Sequence, residues 1–211
     1  IMRPDEVLDT LQRVGFEAWY VGGCVRDTLL GCPIHDWDVT TSALPEQVLA
    51  LFPRTVPTGL QHGTVTVLSD SGPVEVTTYR ADGDYHDGRH PDGVRFVRSL
   101  REDTARRDFT VNAMAMDQRG NIRDFYGGRA DLAAGILRCV GAPERRFRED
   151  ALRMLRACRF AAQLGFAIEP ETWAALLRCA PLCKQLSRER ITEEVTKTIR
   201  SPSPQWAAAM I

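Results

Sequence analysis

Membrane-length apolar runs, paired metal-binding cysteines and an excess of either charge are all missing from this 211-residue sequence. No apolar stretch approaches the roughly 20 residues that a bilayer span requires, and the first residues lack the pattern of a secretory signal. The six cysteines, Cys24, Cys32, Cys139, Cys158, Cys179 and Cys183, never fall as CxxC. With only four scattered histidines they offer no zinc constellation. Reduced, mostly buried thiols in a cytoplasmic protein are the expectation. A net charge of −1 excludes wholesale electrostatic wrapping of nucleic acid, though not a local basic groove.

What is present is ordinary for a globular chain: 44% hydrophobic and 26% charged residues, enough for one large domain or two small ones. Val7, Leu8, Leu11 and Val14 recur near helical spacing, so Pro4–Val14 is expected to be helical. A strand at Ala18–Val21 should run into Gly22-Gly23, with a helix over Val25–Leu30 ending at Gly31. Trp37–Val39 reads as a short strand, and Ser42 can cap the helix that follows. Thr64–Leu68 and Val74–Tyr79 alternate like paired strands. Ala81–Asp92, rich in Asp, Gly and His, is expected to be a mobile loop, and Phe109–Met116 a buried element. From Arg145 onward helical patterns dominate, which predicts a mixed α/β domain over residues 1–143 and an all-helical one over 144–211. Ile1 in place of an initiator and the uncapped apolar run Gln205–Ile211 suggest trimmed ends, with a partner segment beyond the last.

The first candidate site joins two motifs. Gly22-Gly23-Cys24-Val25-Arg26-Asp27 sits between a strand and a helix, where glycines allow close backbone approach and the helix N-terminus aims free N–H groups at a ligand. Arg26 adds a cation for a triphosphate. Alone, a Gly-Gly pair is more often a tight turn. Asp36-Trp37-Asp38 changes the balance, because residues i and i+2 of a strand share a face and two such carboxylates repel unless a cation lies between them. Oxygen ligands with room for water and phosphate suit Mg²⁺, which activates an attacking 3′-hydroxyl and holds the pyrophosphate in line. Glu75, between Val74 and Val76, is either a third carboxylate near the metal or a buried ion-pair partner.

In Arg106-Arg107-Asp108-Phe109-Thr110-Val111-Asn112-Ala113, charges enter an apolar element and must be paired or face a ligand. Arg107 is the candidate for a phosphate or sugar contact, Asp108 for a residue that orients an arginine, and Asn112 for satisfying backbone groups. Glu149–Arg159 then reads as one helix. Ala151, Leu155, Cys158 and Ala162 make its apolar stripe, and Asp150, Arg153, Arg156 and Arg159 fall outside it. The ordinary alternative is a solvated face with Asp–Arg pairs. The sharper reading is a base reader: an acceptor beside a donor matches the pairing edge that cytosine and adenine share, and mismatches uracil and guanine.

Taken in order, Gly-Gly-x-Val-Arg-Asp, Asp-x-Asp-Val-Thr-Thr, Arg-Arg-Asp-Phe-Thr-x-Asn-Ala and Glu-Asp-x-x-Arg-x-x-Arg resemble the class II tRNA nucleotidyltransferases and bacterial poly(A) polymerases. The resemblance runs from about Val21 to Phe166. It implies an α+β chain, with a DNA polymerase β-like nucleotidyltransferase head followed by an all-helical neck. It further implies Mg²⁺ on Asp36 and Asp38, and triphosphate and sugar contacts at Gly23, Arg26 and Arg107. Asp150 and Arg153 would read the base, with Arg156 and Arg159 assisting. CTP, ATP and the tRNA 3′ end are the implied partners, and CCA addition the implied reaction. The Ala81–Asp92 segment resembles the loop with which such enzymes switch from adding C to adding A, and Thr58–Thr64 resembles the CCA-adding type. Family members continue into domains that grip tRNA, so this length leaves autonomous tRNA binding open. The rivals are a poly(A) polymerase, a CC-adding or A-adding enzyme, a metal phosphohydrolase built on His35-Asp36, and an inactive RNA-binding module.

Overall fold

Apolar residues at helical spacing fold the start of the chain against a sheet. In α1 (Asp5–Arg13), Val7, Leu8 and Leu11 are all buried. The computed structural model describes residues 3–82 and 94–210. These form two compact units, one of residues 3–82, 94–107 and 112–126, the other of 108–111 and 127–210.

The first unit follows the period-2 patterning of its strands. After β1 (Ala18–Val21) come α2 (Gly23–Leu30), β2 (Trp37–Thr41), α3 (Pro45–Leu51), β3 (Thr55–Gly59), β4 (Thr64–Ser69) and β5 (Gly72–Thr78). Next are β6 (Arg80–Asp82), β7 (Val94–Phe96), α4 (Leu100–Ala105), β8 (Met114–Met116) and β9 (Ile122–Asp124). Among the described residues, seven strands make one mixed sheet in the order β3-β4-β5-β2-β1-β8-β9. Val39, Val65, Val67, Val74 and Val76 are buried along it, as β-branched residues on a pleated surface should be. β2 runs parallel to β5 and antiparallel to β1, so the strand carrying Asp38 is central and fixed on both sides, with Asp36 just before its first residue. β6 and β7 form a separate antiparallel ribbon. Of the expected loop at Ala81–Asp92, Ala81 and Asp82 belong to β6, and the rest lies outside the described residues.

The second unit contains α5 (Gly128–Ala134), β10 (Ile136–Leu137), α6 (Pro143–Glu149), α7 (Leu152–Leu164), β11 (Ala167–Ile168), α8 (Pro170–Cys179), α9 (Arg188–Ile199) and α10 (Trp206–Ala209). Among the described residues its regular structure is helical apart from a short parallel ladder of β10 with β11 and an isolated antiparallel bridge of Phe109 with Cys139. That ladder draws the segment after Tyr126 into this unit, so the contact boundary falls well before the Pro143 read from sequence. Residues 108–111 join the same unit through backbone bonds from Thr110 N–H to the Arg138 carbonyl (2.9 Å) and Val140 N–H to the Asp108 carbonyl (3.0 Å). Among the described residues no helix is long and apolar enough to cross a membrane. All six cysteines are free, and burial raises the Cys24 thiol to about 11 and Cys139 to about 12.

Candidate active site

Sheet register brings the acidic residues together. Asp38 on β2 lies directly beside Glu75 on β5, its partner in the parallel ladder, so the two side chains share a face. Trp37, between the two aspartates in sequence, is buried and packs on Tyr20 with ring centroids 4.9 Å apart. Asp36, Trp37, Asp38, Thr66, Pro73 and Glu75 line one cleft of about 360 Å³. Burial, Glu75 and Asp36 push the Asp38 carboxyl up to about 6, against the opposing pull of Arg107. Such crowding favours a cation.

Three carboxylates on one cleft form a hard-oxygen donor set, the kind that holds a hydrated divalent ion. As the side chains stand, no group of three or more His, Cys, Asp or Glu among the described residues could hold a metal ion. A cation at this cleft would have to draw on water or phosphate as well. Glu75 is exposed, and among the described residues no ion pair within 4.0 Å is found for it.

Gly22 caps α2 at φ +78°, a conformation that glycine adopts freely and L side chains rarely do. A Cβ there would come within 3.5 Å of Arg107 Nη1, and one on Gly23 within 3.4 Å of Arg26 Nη2. The turn thus has two guanidinium groups against it. Arg26 is buried; its Nε donates to Asp27 Oδ1 (2.9 Å) and its Nη1 to Asn112 Oδ1 (2.6 Å). Asn112 thus accepts a bond from a side chain. Arg107 follows α4 and is not on a strand; its Nη2 lies 3.7 Å from Asp103 Oδ2. Asp103 is fully buried and was missed by the sequence reading. Its only signal was an acid one helical turn before a pair of arginines.

In the second unit the expected single helix is broken. Asp150 is the C-cap of α6 in an extended conformation (φ −147°, ψ 107°), and α7 starts only at Leu152. Asp150 Oδ1 accepts from Leu152 N–H at 3.0 Å, a local bond that competes with helix continuation. Asp150 and Arg153 are thus not i, i+3 neighbours on one helix. Asp150 pairs with Arg190 of α9 at 3.2 Å, while Arg153 Nη1 donates to Glu149 Oε2 (2.9 Å) and the Arg146 carbonyl (3.0 Å). Arg145 and Arg146 also pair with Glu149, and Arg148 with Glu144. Arg156 reaches Asp108, and Arg159 pairs with Glu194 of α9. Arg153 and Arg159 are buried, so this stripe is not a solvated face. Ala151, Leu155, Cys158 and Ala162 are buried as expected.

Residues 18–138 match the Poly A polymerase head domain, and 165–211 the probable RNA and SrmB-binding site of polymerase A. The CCA-adding enzyme of Geobacillus stearothermophilus is 53% identical over 196 residues, 93% of this chain and 48% of that protein. The chain belongs to the CCA-adding enzyme and poly(A) polymerase family. The CCA-adding enzyme of Lactiplantibacillus plantarum is 51% identical over 94% of this chain and 49% of its own length. This family member is also similar to the crystal structure of the Bacillus stearothermophilus CCA-adding enzyme in complex with CTP. The TM-score is 0.90 with 47% identity, over the whole of this chain and 52% of the other. The Thermotoga maritima CCA-adding enzyme complexed with tRNA shares the fold, with a TM-score of 0.80 at 24% identity over 98% of this chain and 48% of that one. The chain spans about half the length of the curated relatives it matches. The α+β fold expected from the resemblance is therefore the fold of this family.

Proposed function

We propose that this chain is the catalytic part of a CCA-adding enzyme, which transfers CMP and AMP from CTP and ATP to the 3′ end of tRNA. The observation that carries the reading is the register of Asp38 beside Glu75, with Asp36 on the same cleft, in a chain 53% identical to a CCA-adding enzyme. The family implies a divalent cation in general; the hard-oxygen donor set supports Mg²⁺. Asp36, Asp38 and Glu75 would hold it, and when bound it supplies charge to offset that of the triphosphate and the attacking hydroxyl.

The chain's own residues bind and orient. The Gly22-Gly23 turn and the start of α2 would receive phosphate on backbone N–H groups, with Arg107 and Arg26 against them. In this reading Arg26 is fixed by Asn112 and so presents a set geometry to the sugar and triphosphate. Asp150 and Arg153 present an acceptor and a donor to the base, each oriented by its own partner, Arg190 and Glu149. Arg156 and Arg159 support that surface through Asp108 and Glu194. The functional division is a head over residues 1–143 and a neck over 144–211, and the setting is the cytoplasm.

The test is incubation of the protein with tRNA lacking CCA, Mg²⁺ and each nucleotide separately, with product lengths read on a gel. Two additions with CTP followed by one with ATP is the expected result. Long products from ATP alone would make the protein a poly(A) polymerase, and no transfer from either nucleotide would remove the catalytic reading.

A further inference from the structure

Asp103 is the most buried acid near the candidate site, with no measurable exposure, and it receives bonds from several directions. Thr40 Oγ1 donates to its Oδ2 at 3.0 Å, and the Arg80 backbone N–H donates to its Oδ1 at 2.9 Å. Arg106 Nε lies 3.6 Å from Oδ1 and Arg107 Nη2 3.7 Å from Oδ2. The two neutral donors fix the carboxylate, which then faces two adjacent guanidinium groups. Thr40 is on β2, two residues beyond Asp38, so one buried acid ties the strand bearing Asp38 to the arginine at the Gly22 turn. Arg106 and Arg107 repel one another: burial first, then Arg107, lowers Arg106 to about 10.

We propose that Asp103 is the positioning residue for Arg107, holding its guanidinium against the Gly22 turn so that the β- and γ-phosphates of a nucleoside triphosphate meet it already in place. The inference rests on the reading of Arg107 as a triphosphate contact. A long side chain ordered in advance loses less freedom when the ligand arrives, so the benefit falls on ligands that carry those phosphates. An acid that merely stabilised the fold would not distinguish CTP from CMP.

The experiment measures binding of CTP and of CMP to the full 211-residue chain with Mg²⁺, by calorimetry, for four variants. Asp103→Asn should weaken CTP about tenfold and leave CMP within about twofold. Arg107→Ala should do the same, and the double variant should bind CTP no more weakly than Arg107→Ala alone, since the two act as one unit. Thr40→Val, which keeps the charge and shape but removes one donor, should weaken CTP about threefold with CMP unchanged. If Asp103→Asn is unfolded at the assay temperature, Thr40→Val decides alone, and unchanged CTP binding overturns the inference. Equal loss of CTP and CMP, or losses that add in the double variant, would also overturn it. CTP binding untouched by Arg107→Ala would show that the underlying reading has failed, and the inference falls with it.

Discussion

Arg156 reaches back 48 residues in sequence to Asp108, with Nη2 2.6 Å from Oδ2 and Nε donating to the same oxygen at 2.8 Å. Asp108 also accepts from the Phe109 backbone N–H at 2.7 Å and is nearly buried. The pairing raises the Arg156 guanidinium above its usual value, although burial pulls the other way. Arg156→Ala would remove both of the arginine's contacts with this buried acid, at a cost of about 2–3 kcal/mol given that the arginine is a third exposed. Urea melts should show that loss, and Arg156→Ala with Asp108→Asn should recover part of it. A single variant as stable as the parent would make the pair ornamental.

Asp38→Asn should abolish nucleotide transfer while raising the metal-free melting midpoint. It removes a carboxyl whose charged form is disfavoured by burial and by Glu75 and Asp36, which together push it up to about 6, a relief on the order of 1 kcal/mol. Asp36→Ala and Glu75→Gln should also abolish or severely reduce transfer without unfolding the chain. Near-normal transfer in any of the three removes that residue from the metal reading.

Asp150→Ala should affect selectivity more than rate. Incorporation of UTP and GTP relative to CTP and ATP should rise by one to two powers of ten, for about 1–3 kcal/mol of lost discrimination. Because Asp150 also accepts from the Leu152 N–H at the start of α7, the variant should lose about 1 kcal/mol of stability. Unchanged proportions of the four nucleotides would leave only the capping role.

Much of this was legible in the sequence where chemistry is local. The alternating runs matched β4 and β5, and short strands fell where β1 and β2 lie, but β2 begins at Trp37, so Asp36 precedes the strand on which its spacing with Asp38 put it. The Asp38–Glu75 adjacency was not, because parallel register is set by a crossover whose geometry no local pattern encodes. The break at Asp150 escaped because Glu149–Arg159 has strong helix propensity throughout, and a single side-chain bond to Leu152 N–H competes with that weak prior. The role of Asp103 depends on Thr40 and Arg80, both distant in sequence, and so could not be read locally. Strands as short as β9, and helices of six or seven residues such as α4 and α5, carry too few periods to register.

Gly63→Ala should destabilise the β6–β7 ribbon. Gly63 has φ +80°, and a Cβ there would sit 2.7 Å from Phe96 Cε1. Backbone strain and the displaced ring together should cost about 1–3 kcal/mol. Chemical denaturation should show the loss, with partial recovery in Gly63→Ala/Phe96→Ala. No loss would mean that Phe96 swings aside freely.

Acid should weaken the second unit partly through Glu169. Burial would raise its carboxyl, but bonds from the Thr172 backbone and hydroxyl and from the Glu171 N–H at the start of α8 outweigh this and lower it. A group depressed in the folded state stabilises it above the unfolded value, about 4.3, and the benefit disappears as pH falls through the folded value. Glu169→Gln should therefore be less stable than the parent at pH 7, with the gap closing below about pH 4. A gap that stays constant down to pH 3 would rule this out.

The six arginines between residues 145 and 159 each face a carboxylate, drawn from Glu144, Glu149, Asp108 and Glu194. Six guanidinium groups against four carboxylates leave an excess of two positive charges, so a cluster that looks strongly basic when written out is in good part neutralised. Polyanion binding weakens with salt in proportion to the phosphates neutralised, so any contact that RNA makes here should lose less affinity as ionic strength rises than six free arginines would.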